Sequence, residues 1–367
     1  MVPRIERRLA PATSIKAILF ANVAAIVVAL VIGGLLFLPF RVSPLSAYAD
    51  LVGEAFFSRR GFGYTLVEAT PLILVGLGTI FAWRTGFAYL GFQGCLSLGA
   101  IAAAWLALRV GVGKPLGNMA LVCFLPIVLM VAFAAGSVWS GLVGFARARF
   151  GGTEVLVSLM TNYVAALLVQ YLVSGPMRAS GDLPQTALMP RSTWLPHFSG
   201  DSPANIGIFV ALACAGAVWI LLRHTVAGYE MMVTGLNPRA ARFGGIDVGR
   251  RTMLASAVCG GLAALAGPIE ILGNQHRLLD GVGEGLGFIG IVAALLGKLT
   301  VGGTVIASVL YGGLTVGGNA MQRHSGLPSS VVLVVQALIV LLVLASDLIL
   351  RYRVVWGRRS QLAARAG

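Results

Sequence analysis

The sequence predicts an all-α protein that crosses a membrane about ten times. Its 367 residues are 57% hydrophobic and only 11% charged, and their mean hydropathy is +0.89. Soluble domains carry roughly 25% charged residues, so this composition excludes an ordinary soluble fold. The apolar residues also fall into segments near the ~20 residues that one helical membrane crossing requires.

Ten such segments follow one another along the chain. The first has an apolar core too long for a signal peptide, although Ala47–Ala49 resembles a cleavage site. The predicted spans are Ala17–Phe40, Tyr64–Ala82, Gly86–Leu108, Met119–Phe145, Glu154–Val173, Ala204–Leu222, Thr252–Leu272, Gly285–Gly297, Thr304–Met321 and Pro328–Leu350. Residues 17–350 are therefore predicted to form one transmembrane domain between a cytoplasmic tail, 1–16, and a basic cytoplasmic tail, 351–367.

The basic residues indicate the orientation of these spans. The net charge is +14, and with the N-terminus inside, about two thirds of the lysines and arginines lie in cytoplasmic segments, as the positive-inside rule requires. Both termini and the polar loop 223–251 are therefore predicted to face the cytoplasm. Because the charges occupy short loops between apolar runs, they do not indicate a nucleic-acid site.

The longest polar interruption in the second half of the chain is this loop, 223–251. Asn237-Pro238 is a helix-start signal and Gly244-Gly245 is a stop signal, so a short basic helix is predicted between them. A helix of this length is marginal in water and needs a partner surface. We predict that it docks in a groove of a cytoplasmic protein; a basic loop at lipid headgroups is the alternative.

A five-residue motif occurs twice in the chain, five predicted spans apart. It reads LGFQG at Leu90–Gly94 in the third span and LGFIG at Leu286–Gly290 in the eighth. An odd offset gives the two halves opposite topologies, an arrangement common among transporters. We therefore predict an inverted five-helix pseudo-repeat with the substrate path at these glycine-interrupted spans.

Polar side chains within the predicted spans mark a candidate substrate path, because such groups are costly in a membrane. Amides both donate and accept hydrogen bonds, which suits sugar hydroxyls and base edges. The candidate path residues are Glu68, Gln93, Asn162, Phe288 and Asn319. Interhelical hydrogen bonding is the alternative for the amides, packing for Phe288, and capping of the backbone freed by Pro71 for Glu68.

The sequence contains no motif for catalysis or ATP binding. Gly297-Lys298 is followed by Leu299 instead of Ser or Thr, and Val292 stands where a P-loop requires glycine. The histidines expected outside the cytoplasm lack clustered carboxylates, so no metal site is predicted. The four cysteines lie in or beside apolar segments and indicate small buried residues. We therefore predict a transport subunit that is not itself an enzyme and binds no cofactor.

Four blocks of the sequence resemble the permease subunits of bacterial ABC importers. They are Thr70–Gly94, Gly151–Ala165, Gly235–Ile246 and Gly287–Leu314. The resemblance covers nearly the whole chain from the second span onward. More narrowly, it is to the branch that serves simple sugars and nucleosides within the branched-chain amino acid/ribose-type permease family. It implies a type II importer fold, with two permeases and two ATPase subunits.

The same resemblance implies roles and partners. The short basic helix corresponds to a coupling helix that seats on the ATPase, with the contact residues Asn237, Pro238, Arg239, Arg242 and Phe243. ATP-Mg is then bound by the ATPase, and an extracytoplasmic receptor of the basic membrane protein type delivers the solute. A non-identical sister permease is implied, with a homodimer as the alternative. Departures from the family pattern at Tyr89–Cys95 and Thr161–Tyr163 leave the solute open.

Together these observations predict a permease of the bacterial cytoplasmic membrane that imports a nucleoside or a related sugar-containing solute. A simple sugar such as ribose, or riboflavin, is the alternative solute. A secondary transporter is the alternative mechanism, but no buried carboxylate pair or histidine relay in the sequence indicates proton coupling. A membrane enzyme or assembly scaffold is disfavoured because no catalytic cluster occurs.

Overall fold

The computed structural model describes residues 2–7, 15–111, 114–117, 120–199 and 202–357, and this part of the chain is mostly helical. The helices are α1 (Ile15–Phe37), α2 (Pro44–Val52), α3 (Arg59–Arg84), α4 (Phe92–Ala107), α5 (Leu121–Phe150), α6 (Glu154–Ser174), α7 (Gly207–His224), α8 (Val226–Leu236), α9 (Pro238–Phe243), α10 (Val248–Ala264), α11 (Ala266–Glu270), α12 (Leu286–Leu296), α13 (Val301–Ser325) and α14 (Ser329–Arg351). Two short antiparallel strand pairs accompany them: β1 (Val2–Arg7) with β4 (Tyr352–Gly357), and β2 (His197–Ser199) with β3 (Ser202–Asn205).

The helices account for the membrane crossings that the sequence predicts. Within the described ranges, 8 helical segments are long and apolar enough to cross a membrane, and α4 and α12 are shorter apolar helices. α10, α11 and the π-helical turn Ile271–Gln275 together form one of the long segments. The prediction of an all-α polytopic membrane protein with about ten spans is confirmed.

The structure corrects two details of the predicted elements. The sequence predicts a third span from Gly86, but α4 begins at Phe92, because Gly86 turns the chain with a φ of 75° into an irregular connection. The polar loop 223–251 also contains a helix that the sequence analysis did not predict, α8, which Thr225 caps at its N-terminus. The loop is therefore more ordered than its charge suggests.

The chain divides into two compact units, of which the first comprises residues 1–52 and 317–367. Within this unit, α1 packs along α14, and β1 pairs with β4. The Tyr48 hydroxyl of α2 donates a hydrogen bond to the Leu30 carbonyl at 2.7 Å. Burial raises the pKa of Tyr48 to about 12, so this phenol stays protonated and ties α2 to α1.

The second unit, residues 53–316, is built on close approaches between helix backbones. α10 packs on α3, α4 and α5, and α3 also packs on α12. A Cβ added to Gly99 of α4 would lie 1.9 Å from the Ala264 carbonyl oxygen, and one added to Gly267 would lie 2.3 Å from the Ala100 nitrogen. Small residues at such crossings allow membrane helices to associate closely.

The long connection between α6 and α7 folds back over the end of the α10–α11 segment. Backbone hydrogen bonds join Met189 to His276 and Leu195 to Leu272, each at 3.0 Å. The Trp194 ring stacks on the His276 ring, with the two centroids 3.7 Å apart. These contacts hold the connection against the segment that leads into α12.

Acid is expected to loosen this contact. Burial and the nearby His197 lower the pKa of His276 below its ordinary value. His276 therefore binds more protons in the unfolded chain than in the folded protein. Its contribution to the stability of the folded protein is lost as the pH falls from about 6.5 through the pKa that His276 has in the folded protein. Backbone hydrogen exchange at 186–195, corrected for intrinsic rates, should accelerate on acidification. His276→Phe, which keeps a ring against Trp194, should lack this response; an equal response would contradict the assignment.

Candidate functional site

The second unit contains a pocket of ≈ 570 Å³ between α4, α6 and the start of α12. This volume lies within the range of about 300–1,000 Å³ that is typical of small-molecule sites. Its lining mixes aliphatic side chains with amides, carboxylates and two aromatic rings. The polar and aromatic residues of the lining include Gln93, Asn162, Tyr163, Gln170, Asp280, Glu284 and Phe288.

The structure brings together some of the residues that the sequence predicts for a substrate path. Those in the pocket lining are Gln93, Asn162 and Phe288. Glu68 instead lies half-buried in α3, close enough to Glu270 for their charges to interact. Pro71, one turn later, does not interrupt α3. Asn319 is exposed on α13, in the first unit. Glu68 and Asn319 are therefore not part of this pocket, and a solute contact for either stays a prediction.

Two of the pocket amides, Asn162 and Gln93, bind backbone groups of neighbouring elements. Asn162 Oδ1 accepts a hydrogen bond from the Gly94 nitrogen at 2.8 Å, and its Nδ2 donates to the Leu90 carbonyl at 2.9 Å. Gln93 Oε1 accepts from the Gly287 nitrogen at 3.0 Å. These contacts are hydrogen bonds between elements, which the sequence analysis gives as the alternative role for the amides. A solute can therefore bind only to the donor and acceptor positions that these hydrogen bonds leave free.

The two copies of the repeated motif meet at this pocket. Gly91 precedes α4 and Gly285 precedes α12, so each copy lies at the N-terminus of a short apolar helix. A Cβ added to Gly287 would lie 2.5 Å from the Gln93 nitrogen, which shows that the two helix starts touch through their backbones. α3 packs on α12 while α10 packs on α4. Each half thus places its long helix against the short helix of the other, and this reciprocal packing fits two halves related by an inverted repeat.

Alternate glycines shape the approach to α12. Gly281, Gly283 and Gly285 have φ values of 73°, 63° and 82°, in the left-handed region that costs other residues about 1–2 kcal/mol. This turn carries Asp280 and Glu284 into the pocket lining. No lysine or arginine occurs among the described residues of that lining. The pocket therefore suits a solute that offers hydrogen-bond donors, because ionised carboxylates only accept.

A ladder of polar side chains on α6 holds the connection that precedes α4. Its members, Glu154, Ser158 and Asn162, are four residues apart and therefore share one helix face. Glu154 Oε1 accepts from the Ala88 nitrogen at 3.3 Å, and Ser158 Oγ accepts from the Leu90 nitrogen at 3.1 Å. Sequence reasoning missed this ladder. Its spacing is visible in the sequence, but its partners lie 66 to 72 residues away.

The short helix predicted in the loop 223–251 is present as α9. Asn237 Oδ1 accepts hydrogen bonds from the backbone nitrogens of Arg239 and Ala240, at 3.0 and 3.1 Å. A cap of this kind contributes about 1 kcal/mol to helix stability. Gly244 follows α9, and Gly245 has a φ of 79°. The predicted start and stop signals are both confirmed.

α9 presents an unusual surface to its surroundings. Ala241 is buried against the protein, whereas Arg239 and Arg242 are exposed and Phe243 is 95% exposed. Arginine and phenylalanine are enriched at protein–protein interfaces. A capped helix held by one small buried residue is also a preformed binding element. This surface fits the docking role that the resemblance implies, which stays a prediction.

In the described part of the chain, eight spanning helical segments and two shorter apolar helices, a pocket where the two short helices meet and an exposed basic helix define a membrane transport component. The chain belongs to the family of permease components of branched-chain amino acid transport systems, whose family model matches residues 61–344. Membership confirms the family resemblance described from the four sequence blocks.

Several relatives extend over nearly the same length as this chain. The guanosine ABC transporter permease protein NupP of Bacillus subtilis is 34% identical over 89% of this chain and 93% of its own length. The glucose ABC transporter permease protein TsgB13 of Haloferax volcanii is 32% identical over 95% and 94%. The nucleoside ABC transporter permease protein NupB of Lactococcus lactis is 28% identical over 86% and 88%. No solved structure matches the chain significantly.

Proposed function

We propose that this chain is the permease subunit of an ATP-driven importer for a nucleoside or a related sugar-containing solute. The pocket is the observation that carries this proposal. Phe288 and Tyr163 line it with rings that are 45% and 67% exposed, beside the carboxylates of Asp280 and Glu284. A base can stack on such rings, and ribose hydroxyls can donate to the carboxylates. The guanosine and nucleoside transporters named among the relatives support this solute class.

In this proposal the chain works within a larger complex. ATPase subunits bind ATP-Mg and contact the exposed side chains of α9, while this chain has no ATPase site of its own. A receptor of the basic membrane protein type delivers the solute, and a sister permease completes the pathway, with a homodimer as the alternative. The complex lies in the bacterial cytoplasmic membrane with both termini and α9 inside. ATP and receptor switch the pathway by binding two conformations with different affinities.

A free sugar is the second candidate solute. The relative from Haloferax volcanii is named as a glucose transporter, and the carboxylates of the pocket suit sugar hydroxyls as well as those of a ribose. A free sugar lacks an aromatic face. Because the C–H face of a sugar can also pack on an aromatic ring, the identity of the labelled solute that is taken up separates the two candidates.

Phe288→Ala is expected to impair nucleoside transport selectively. Stacking of a base on an aromatic side chain contributes about 1–3 kcal/mol, so we expect the uptake rate of labelled guanosine at saturating receptor to fall about tenfold. The matched control is Phe209→Ala, since Phe209 is exposed on α7 outside the pocket lining. ATP-dependent uptake of free sugar alone, with no uptake of any nucleoside, would replace the nucleoside by a sugar.

A further inference from the structure

The irregular connection between α3 and α4, residues 85–91, lies against the element that leads into α9. Gly235 of α8 is two residues before Asn237, the cap of α9. A Cβ added to Gly235 would lie 2.0 Å from the Arg84 carbonyl oxygen and 2.9 Å from the Thr85 carbonyl carbon. The two segments therefore meet through their backbones, and no flexible side chain separates them.

At its other end the same connection enters the pocket. It continues directly into α4, where Gln93 lines the pocket and accepts a hydrogen bond from the Gly287 nitrogen at 3.0 Å. The Gln93 Nε2 group also donates to the Val282 carbonyl at 3.4 Å. Through Gln93 the connection is therefore joined both to the pocket lining and to the start of α12.

Between these ends the connection is held firmly. The α6 ladder makes four hydrogen bonds to the backbone of residues 88–94, at 2.8 to 3.3 Å. The Tyr89 ring is fully buried and stacks on Phe87, with centroids 5.6 Å apart, and the Thr85 hydroxyl donates to the Phe81 carbonyl at 2.8 Å. Close-packed segments of this kind transmit a displacement, because little free space is available to absorb it.

We propose that residues 85–94 form a mechanical link by which movement of α9 reaches the pocket, and that Asn162 is the positioning residue that holds this link on α6. The inference rests on the proposed function, because it connects the ATPase side and the solute side of one permease. Asn162 acts here through Leu90 and Gly94. This role differs from the solute contact that the sequence analysis predicts for it.

Asn162→Ala removes both bonds of this side chain to the link. In proteoliposomes with the complete complex, ATP hydrolysis should stay within about twofold of wild type, whereas the amount of labelled nucleoside transported per ATP should fall about tenfold, as expected for the loss of buried hydrogen bonds. The matched control is Val164→Ala, because Val164 is exposed on the opposite side of α6 and outside the pocket lining. Val164→Ala should transport as much labelled nucleoside per ATP as the wild-type complex.

A second variant separates the link from a direct solute contact, because Asn162 lines the pocket whereas Ser158 does not; it also covers a failure of Asn162→Ala to assemble. Ser158→Ala removes the bond from the Leu90 nitrogen, together with the bond that the Ser158 hydroxyl donates to the Val155 carbonyl within α6. We expect the amount of nucleoside transported per ATP to fall about threefold, because three of the four hydrogen bonds to residues 88–94 remain. A wild-type ratio in the assembled variants would overturn the link, as would a parallel loss of hydrolysis and uptake. If the wild-type complex shows no ATP-dependent nucleoside uptake, the proposed function itself fails, and the inference fails with it.

Discussion

Reversing both charges of α9 with Arg239→Glu and Arg242→Glu is expected to reduce ATP-dependent uptake about 100-fold, since like charges placed in an interface cost several kcal/mol. Both side chains are exposed on a helix whose backbone is capped by Asn237. The substitutions therefore change the docking surface without removing a contact that folds the permease. Co-purification with the ATPase, together with uptake in proteoliposomes, measures the effect.

Arg250→Glu is the matched control for this double variant. Arg250 is also exposed in the loop 223–251, but it belongs to the first turn of α10 and lies outside α9. We expect it to keep ATPase binding and most of the uptake. Unchanged uptake in the α9 variant, with the ATPase lost, would favour a carrier driven by an ion gradient and would contradict the docking role.

Gly287→Ala is expected to cause the largest loss among substitutions at the pocket. The added Cβ would lie 2.5 Å from the Gln93 nitrogen and 2.7 Å from its Cα, and backbone atoms cannot rotate away. Overpacking of this kind typically costs about 1–3 kcal/mol. Here the added methyl group would push α4 away from α12 and weaken the hydrogen bond that Gln93 Oε1 accepts from the Gly287 nitrogen. We expect uptake to fall at least about tenfold, with a lower melting temperature of the purified complex.

Gly216→Ala provides the control for this prediction. Gly216 lies within α7, and nothing stands within 4 Å of the position that its Cβ would occupy. The control should transport at the wild-type rate, because the added methyl group meets no neighbour. Wild-type uptake in Gly287→Ala would show that the contact between the two motif copies is not needed for transport.

The elements whose signals are local could be predicted from the sequence. Asn237-Pro238 and Gly244-Gly245 specify α9 because each acts on the backbone within a few residues of itself. The apolar runs likewise specify the spans, since the requirement for about 20 apolar residues is local. The two LGF motifs could be recognised by their similarity alone.

Contacts between distant segments could not be predicted in the same way. The sequence shows Glu154, Ser158 and Asn162 at a spacing of four, but the unpaired backbone groups that they bind exist only because α4 begins at Phe92, after the irregular connection. For the same reason, Asn162 and Gln93 suggest solute recognition in the sequence, whereas their amides bind the backbone in the structure. The sequence indicates that these amides donate and accept hydrogen bonds, but their backbone partners become visible only in the structure.

Some residues of the pocket could be predicted from local sequence patterns, and others could not. Phe288 could be assigned to the pocket because it belongs to the repeated motif, whereas Asp280 and Glu284 join it only through the tertiary fold. Glu68 shows the reverse case. Its position in a span suggests a solute contact, but α3 places it near Glu270 and outside the pocket.

Uptake by the reconstituted complex, with receptor, ATPase and sister permease, tests whether this chain is the permease of an ATP-driven nucleoside importer. A panel of labelled nucleosides and sugars should be offered to proteoliposomes with and without ATP. We predict ATP-dependent uptake of a nucleoside that is lost when residues 237–243 are disrupted. Uptake driven by an ion gradient without the ATPase would contradict this function.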